Sequence, residues 1–450
     1  MINAARPSTR PARGGIVRSL ADVVASGARD RSYRKHVLLL LGLALAVDYA
    51  DRAAVGALGP DLERAFGVSN TQLGLLASAF SVVGGLATIP AGILADRMRR
   101  TVLVATAVGL WSLAMGATGA ATTFGFLVGA RVVLGVVTAA ARPAMFSMTG
   151  DVFESEVRGR ALGVVNSGAL VGDGTGFLLA GTVAAAFSWR GAFWLLGTVG
   201  LGLVYLLWRL PEPPRRAQDA PAAGVARSFT AATRYVLSVP TQVLVMMATA
   251  SSSFFFAGLR TFVIVFAVRS YGVDGSIADV ALVVAGLGGI AGILAGGRIG
   301  DQLMASGRLN ARLVVSSYSY LVAALVLVPA FLLPSLWLAL PLYVVGAASL
   351  AAPIASLDAV RLDVIRPQLW GRAEGIRTMT LIVAEAGAPL LFGFLADRIA
   401  GGGLTGLRWT FLGSLSTLLA SALILQLARR FYPGDLAAAS RCANPQTIEG

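Results

Sequence analysis

Eight ionisable side chains interrupt long apolar runs of the chain: Asp48, Asp51, Arg52, Arg131, Arg142, Asp173, Arg260 and Glu385. A charge at bilayer depth costs about 2.5–3.5 kcal/mol on insertion scales, so such groups face a cavity or a partner. The carboxylates Asp48, Asp51, Asp173 and Glu385 are candidates for proton coupling, because a carboxylate in a low-dielectric cavity can load and release a proton near neutral pH. The arginines Arg52, Arg131, Arg142 and Arg260 are candidates to line a substrate cavity, and Arg142 and Arg260 to hold an anionic group. Asp48 and Arg52 are four residues apart and share one helix face, whereas Asp51 points elsewhere. The same residues also admit structural roles. Arg131 can pair with a carboxylate of the first apolar run, and Asp173 and Glu385 can be hydrogen-bonded at helix interfaces. Arg142 can join a charge network at the membrane face, and Arg260 can snorkel outward.

The elements that must position these groups are apolar helices. The chain has 450 residues, 56% hydrophobic and 13% charged, against about 25% charged in an average soluble protein. Its mean hydropathy is +0.74. Runs of ~20 apolar residues recur throughout, each long enough to cross a bilayer as a helix. They lack the alternation of a porin strand. The expected fold is an all-α polytopic membrane protein with twelve transmembrane helices, at roughly 36–58, 72–94, 101–121, 124–147, 161–186, 190–209, 236–268, 277–298, 311–333, 335–357, 374–396 and 406–430. The seventh run is over-long and is expected to break near Ser251–Ser253. Pro90, Pro143, Pro353 and Pro389 are expected to kink their helices.

Arginines set the orientation. The N-terminal tail carries eight positive and two negative residues, and Arg97, Arg99, Arg100, Arg158, Arg160, Arg308, Arg312, Arg361, Arg366 and Arg372 occupy every second turn. The opposite turns after the third and ninth runs are uncharged. The positive-inside rule then places both termini in the cytoplasm and the protein in the cell's inner (plasma) membrane. The domain plan is a basic cytoplasmic tail (1–35), a first six-helix bundle (36–210), a Pro/Ala/Arg-rich cytoplasmic linker (211–234), a second bundle (235–431) and a C-terminal tail (432–450). Ile16–Ala28 suits either a short helix on the membrane surface or a disordered tail.

Composition excludes several classes. The net charge of +14 is concentrated in loops, as orientation signals are, and does not point to nucleic acid. Cys442 is the only cysteine and His36 the only histidine, so no metal site and no cofactor are expected. There is no nucleophile–base pair, and no phosphate-cradling glycine loop with a lysine, so neither an enzyme nor an ATP-driven pump is indicated. No cleavable signal peptide is evident.

The chain repeats itself. Phe66-Gly-Val-Ser69 returns as Tyr271-Gly-Val-Asp274, and Gly84, Gly92 and Asp96 return as Gly289, Gly297 and Asp301, all displaced by 205 residues. Further on the displacement is 212: Asp151 meets Asp363, Gly159-Arg-Ala-Leu-Gly163 meets Gly371-Arg-Ala-Glu-Gly375, and Asp173 meets Glu385. Matches in one order at two close displacements mean two pseudosymmetric six-helix bundles.

Gly92-Ile-Leu-Ala-Asp96-Arg97-Met-Arg-Arg100 resembles the signature turn of the major facilitator superfamily, as does its echo from Gly297 to Asp301. Arg131-Val-Val-Leu-Gly135, the glycine-spaced run Gly163–Gly181 and Trp189-Arg190-Gly-Ala-Phe193 also fit, so the resemblance covers about residues 36–430. Asp48-Tyr-Ala-Asp51-Arg52 followed by Gln72-Leu-Gly-Leu-Leu76 resembles, more loosely, the spinster-like and organic-anion branches. Met98 stands where the signature turn has a glycine, and Thr138 where the spinster-like pattern has a glutamate. Asp397-Arg398, at the end of the eleventh run, is expected to be a helix-end ion pair.

The resemblance implies a secondary transporter whose bundles rock around a central site. It also implies that Gly92, Asp96, Arg97, Arg100, Asp151, Arg158, Arg160, Gly297 and Asp301 form a cytoplasmic gate, an ion-pair latch at helix ends. The function expected is proton-coupled transport of a small organic or amphipathic compound, with export favoured. The alternatives are a proton symporter for organic anion uptake and a non-transporting membrane sensor on the same fold. The expected partners are the lipid bilayer, a small-molecule substrate and protons, and a monomer is the expected state.

Overall fold

The computed structural model describes residues 20–153, 155–213, 229–366 and 369–443. Within these, the side chains of 20–31, 88–97, 143, 146, 147, 150, 151, 155–160, 162, 229, 230, 232, 370–372 and 440–443 lie outside what is described. The first half comprises α1 (Leu20–Ala57), α2 (Gly59–Phe66), α3 (Asn70–Arg97), α4 (Arg100–Gly119), α5 (Phe124–Val152), α6 (Ser155–Ala186) and α7 (Trp189–Trp208). The second comprises α8 (Phe229–Ser238), α9 (Pro240–Tyr271), α10 (Gly275–Ala305), α11 (Ala311–Leu332), α12 (Leu336–Ala351), α13 (Pro353–Val364), α14 (Trp370–Arg398), α15 (Gly403–Ala428) and α16 (Tyr432–Ala443). No strand is present among the described residues.

Ten of these helices or helix pairs are long and apolar enough to cross a membrane. An eleventh is counted if Gly59–Phe66 and Asn70–Ala87, bent by 117°, form one span. α1 has the length for a twelfth, but Asp48, Asp51 and Arg52 interrupt it within one bilayer's depth.

Breaks follow proline more than serine. The over-long seventh run is continuous through Ser251–Ser253 and is instead separated from α8 at Val239, where Pro240 opens α9. Ser252 donates to the carbonyl of Thr249 at 3.0 Å, so its hydroxyl is satisfied inside the helix and no break is needed. Pro353 does break its run, into α12 and α13, whereas Pro389 sits inside an unbroken α14.

Within the first half, α1 lies along α6, α3 along α5, and α4 against α5 and α7. The second half repeats this, with α9 along α14, α10 along α12 and α11 on α15, and α9 also packs on α15. The α1–α6 pairing is backbone-close: a β-carbon on Gly172 would stand 2.1 Å from the Ala46 carbonyl oxygen. Only glycine allows that approach, and it sets Asp173 beside the charged stretch of α1. The second half closes on a ring cluster, with Phe331 stacked on Phe411 at 4.8 Å and Phe266 edge-on to both at 5.4 and 5.3 Å.

The halves meet through α3 and α14, α6 and α10, and α1 and α9. Among the described residues most of these contacts lie toward the end that carries the Gly67 and Gly272 turns. There Arg269 pairs with Glu63 at 2.8 Å, and the Leu390 amide donates to Ser78 at 3.0 Å. The opposite end carries Arg100.

Two segments outside the expected bundles, the linker and the C-terminal tail, are partly tied down. Glu212 accepts from the amides of Arg100 (3.0 Å) and Thr101 (2.9 Å), capping α4, and from both side chains. Partial burial pushes the Glu212 carboxyl up, but these hydrogen bonds outweigh it and hold it below the usual carboxylate range. In the C-terminal tail, α16 docks through a buried Tyr432, whose hydroxyl donates to Asp363 at 2.8 Å. Residues 1–19, 214–228 and 444–450 are outside the described set.

Candidate functional site

The charges of α1 divide between two environments. Asp51 meets Arg131 of α5 at 2.7 Å with side chains 0% and 2% exposed, and the Arg131 guanidinium lies 4.8 Å from the centre of the Phe193 ring. The pair is sealed inside the first half. Asp48 instead pairs with Arg52 at 3.0 Å and Arg142 at 3.5 Å, and lines a small cavity with residues of α4 and α5. From the second half, Arg260 of α9 reaches Asp173 of α6 at 2.5 Å and donates to the Tyr49 carbonyl at 3.3 Å.

Tyr49 is the hub of this cluster. Its ring centre lies 5.1, 5.3 and 5.5 Å from the guanidiniums of Arg52, Arg142 and Arg260, and its hydroxyl accepts from Arg142 at 2.9 Å. A tyrosine between two acidic residues in an apolar run carries no sign of this role in the sequence. The aromatic face makes close approach of three cations tolerable, because the ring quadrupole attracts each of them.

Glu385 of α14 is exposed and has no ion pair among the described residues. It is near enough to act electrostatically on both Arg142 and Asp173. The directly paired set is therefore three guanidiniums (Arg52, Arg142, Arg260) against two carboxylates (Asp48, Asp173), with one positive charge in surplus. The Arg142 side chain is 35% exposed. Arginine forks facing a partly wet cleft can hold a carboxylate in two parallel hydrogen bonds.

Of the expected gate, the side chains of Asp96, Arg97, Asp151, Arg158 and Arg160, and the setting of Gly92, lie outside the described residues. Arg100 is buried and pairs with Glu212 of the linker at 3.3 Å. In the second half, Arg312 of α11 bridges Asp301 and Asp363, both at 2.8 Å. Gly297 faces Ala355, whose methyl would be 3.6 Å from an added β-carbon. A further network that the sequence reading did not pick out joins Arg361 to Asp358 (2.6 Å) and Glu374 (3.1 Å), and Glu374 to Arg377.

At the Gly67 end one expectation is corrected. Asp397 does not pair with Arg398. It accepts from Asn70 (2.7 Å), from the Thr71 amide (2.8 Å) and from the Thr71 hydroxyl (2.6 Å), capping α3 of the opposite half. Arg398 lies over the Phe394 ring instead. Free amides at a helix start attract a carboxylate more strongly than a neighbouring exposed arginine does.

With the site in place, comparison with known proteins is informative. The Major Facilitator Superfamily model matches residues 41–360. The chain is 28% identical over 193 residues to the "Probable L-galactonate transporter" of Escherichia coli K12, covering 42% of this chain and 43% of that one. It is 30% identical over 188 residues to the "Hexuronate transporter" of Bacillus subtilis 168, covering 41% and 44%. The matched stretch thus spans less than half the length of either relative. By fold, the chain is similar to the crystal structure of a bacterial homolog to the human lysosomal transporter Spinster, in an inward-facing and unoccupied conformation. The TM-score is 0.77 at 22% identity, over 90% of this chain and 98% of that one.

Proposed function

The chain belongs to the Major Facilitator Superfamily, and we propose that this multi-pass secondary transporter moves a small organic anion together with a proton. The surplus guanidinium charge around Tyr49 carries the reading. Arg142 and Arg260 grip the anion's carboxylate from opposite halves, so a bound anion ties the two halves across the cleft. Once Glu385 is protonated, an uncharged amphipathic compound would leave that positive charge unanswered, and this favours an organic anion as the substrate. Two relatives named for sugar acids support the same substrate class.

Glu385 supplies the coupling. While ionised, it opposes a second negative charge beside Arg142. Once protonated, it leaves Arg142 and Arg260 to the anion. Proton and anion therefore load together, and the occupied site carries no more net charge across the low-dielectric interior than the empty one. The arginine distribution puts the Arg100 end in the cytoplasm. The halves joined at the Gly67 end then make this the arrangement closed to the outside. The protein works in the plasma membrane as a monomer, since both halves of the cleft come from one chain.

The test is uptake of labelled D-galactonate and a hexuronate into sealed proteoliposomes under an inward proton gradient. Accumulation is expected for wild type and lost in Arg142→Gln and Arg260→Gln. Glu385→Gln is expected to exchange labelled for unlabelled anion across the membrane but not to accumulate it. Undiminished accumulation by Arg142→Gln or Arg260→Gln would sink the anion clamp, and gradient-driven accumulation by Glu385→Gln would sink this coupling assignment.

A further inference from the structure

Asp279 plays no part in the cluster around Tyr49. It lies in the second turn of α10, toward the Gly67 end, and is 2% exposed. Neither carboxylate oxygen has a hydrogen-bond partner among the described residues. It points at the other half of the molecule: a β-carbon added to Gly181 of α6 would fall 1.6 Å from Asp279 Oδ2. The missing side chain at 181 is the space this carboxylate occupies. The sealed joint between the halves thus has an unpartnered carboxyl group built into it.

Nothing charged nearby compensates it. From α2, Asp61 acts on it as a like charge, and Asp61 is held by Arg64 at 2.7 Å. From α9, Arg269 is engaged by Glu63 and by Asn70 at 3.1 Å, and Arg260 by Asp173. The tyrosines Tyr271 of α9 and Tyr343 of α12 bond each other at 2.8 Å. α6 has no titratable residue from Gly174 to Ala186. On α10 itself Asp274 is an exposed flanking residue. The acidic and basic groups of α11 and α13, Arg312, Asp358, Arg361 and Asp363, pair among themselves and with Asp301 and Glu374 toward the Arg100 end. Tyr320 of α11 bonds Ser252, and Tyr318 is exposed.

An ionised carboxylate without a partner in such a joint costs several kcal/mol, whereas the neutral acid is tolerated. We propose that Asp279 is a second proton-binding site, occupied while the halves are sealed at the Gly67 end and emptied to the outside when they part. Sealing takes up one proton, and parting hydrates the carboxylate and releases it. The inference rests on the alternating-access reading above but not on the anion clamp. It assigns the outer opening its own proton, separate from the one on Glu385.

The test uses the full chain in Cys442→Ser background with spin labels at Thr122→Cys and Pro334→Cys, exposed loop positions of the two halves at that end. Distances are measured in lipid without substrate across pH 5–9. One proton linked to sealing shifts the ratio of parted to sealed molecules by up to about tenfold per pH unit, with parting favoured as pH rises. Asp279→Asn is expected to lose this pH response and stay sealed. Gly181→Ala, which displaces the carboxylate, is expected to part at lower pH than wild type. A wild type without pH response, or an Asp279→Asn variant that responds like wild type, overturns the proposal. If Asp279→Asn does not fold, an unshifted Gly181→Ala response overturns it equally. Because no substrate is added, a failed anion clamp leaves this result interpretable.

Discussion

Asp48 and Asp51 sit three residues apart on one helix and meet opposite fates. Asp51 is fully buried against Arg131, a pair closed over by Phe193. Asp48 is shared between two arginines, one of them 35% exposed, in a cleft that a third arginine enters from the other half. A sealed pair has neither water nor a neighbouring cation to cover an exchange of partners. A shared, half-wet pair can trade one for a ligand at little cost, because water and neighbouring charges cover the intermediate. In the sequence Asp48, Asp51 and Arg131 were all candidates for the working site, with a structural pair between Arg131 and a carboxylate of the first apolar run as the alternative. The geometry buries Asp51 and Arg131 together, apart from the open cluster.

The strongest way to break that contrast is to remove one member of the sealed pair. Arg131→Ala leaves Asp51 buried and unpaired, and should destabilise the fold by about 3–5 kcal/mol. The measurement is thermal unfolding in detergent, with yield of monodisperse protein as a second readout. The double variant Arg131→Met with Asp51→Leu removes both charges and should recover most of the loss. A single variant as stable as wild type would make the pair a working one.

The open cluster should behave in reverse. Arg142→Gln or Arg260→Gln removes one charge-assisted donor from a partly wet site, where the fold depends on it weakly. Unfolding temperature should hardly move, while the affinity for a carboxylate should fall roughly tenfold to hundredfold, the value of one charged hydrogen bond of about 1.5–3 kcal/mol. Equilibrium binding of D-galactonate measures the second effect on the same samples. Loss of stability without loss of binding would place these arginines with Arg131.

Much of this was legible beforehand because a charge in an apolar run stands out. All eight central charges could be named from the sequence, and the repeat paired Asp173 with Glu385 across the halves. What could not be read was partnership over long separations. Asp397 looked like half of an Asp-Arg doublet, yet its partners are 326 and 327 residues away. Asp279 has no sequence neighbour that marks it, and only the facing Gly181 shows that it is sealed in. Tyr49 was hidden among more obvious neighbours. The serine run at 251–253 misled for a local reason, since Ser252 bonds back to its own helix and Ser251 to the Thr417 carbonyl of α15, and the backbone stays unbroken.

The smallest expected effect separates the two carboxylates of the Gly67 end. Asp397 receives three hydrogen bonds from Asn70 and Thr71, so it is stabilised as an anion by the joint it closes. Asp279 receives none. Asp397→Asn keeps the shape and weakens the cap, a change of about 1 kcal/mol, or roughly fivefold in the ratio of parted to sealed molecules. With the Thr122 and Pro334 labels, that shift should be the same at every pH between 6 and 8, because it removes attraction without removing a titrating group there. Asp279→Asn should instead flatten the pH slope. If Asp397→Asn flattens it too, the proton of the outer joint is shared between both carboxylates, and Asp279 is one member of a coupled pair.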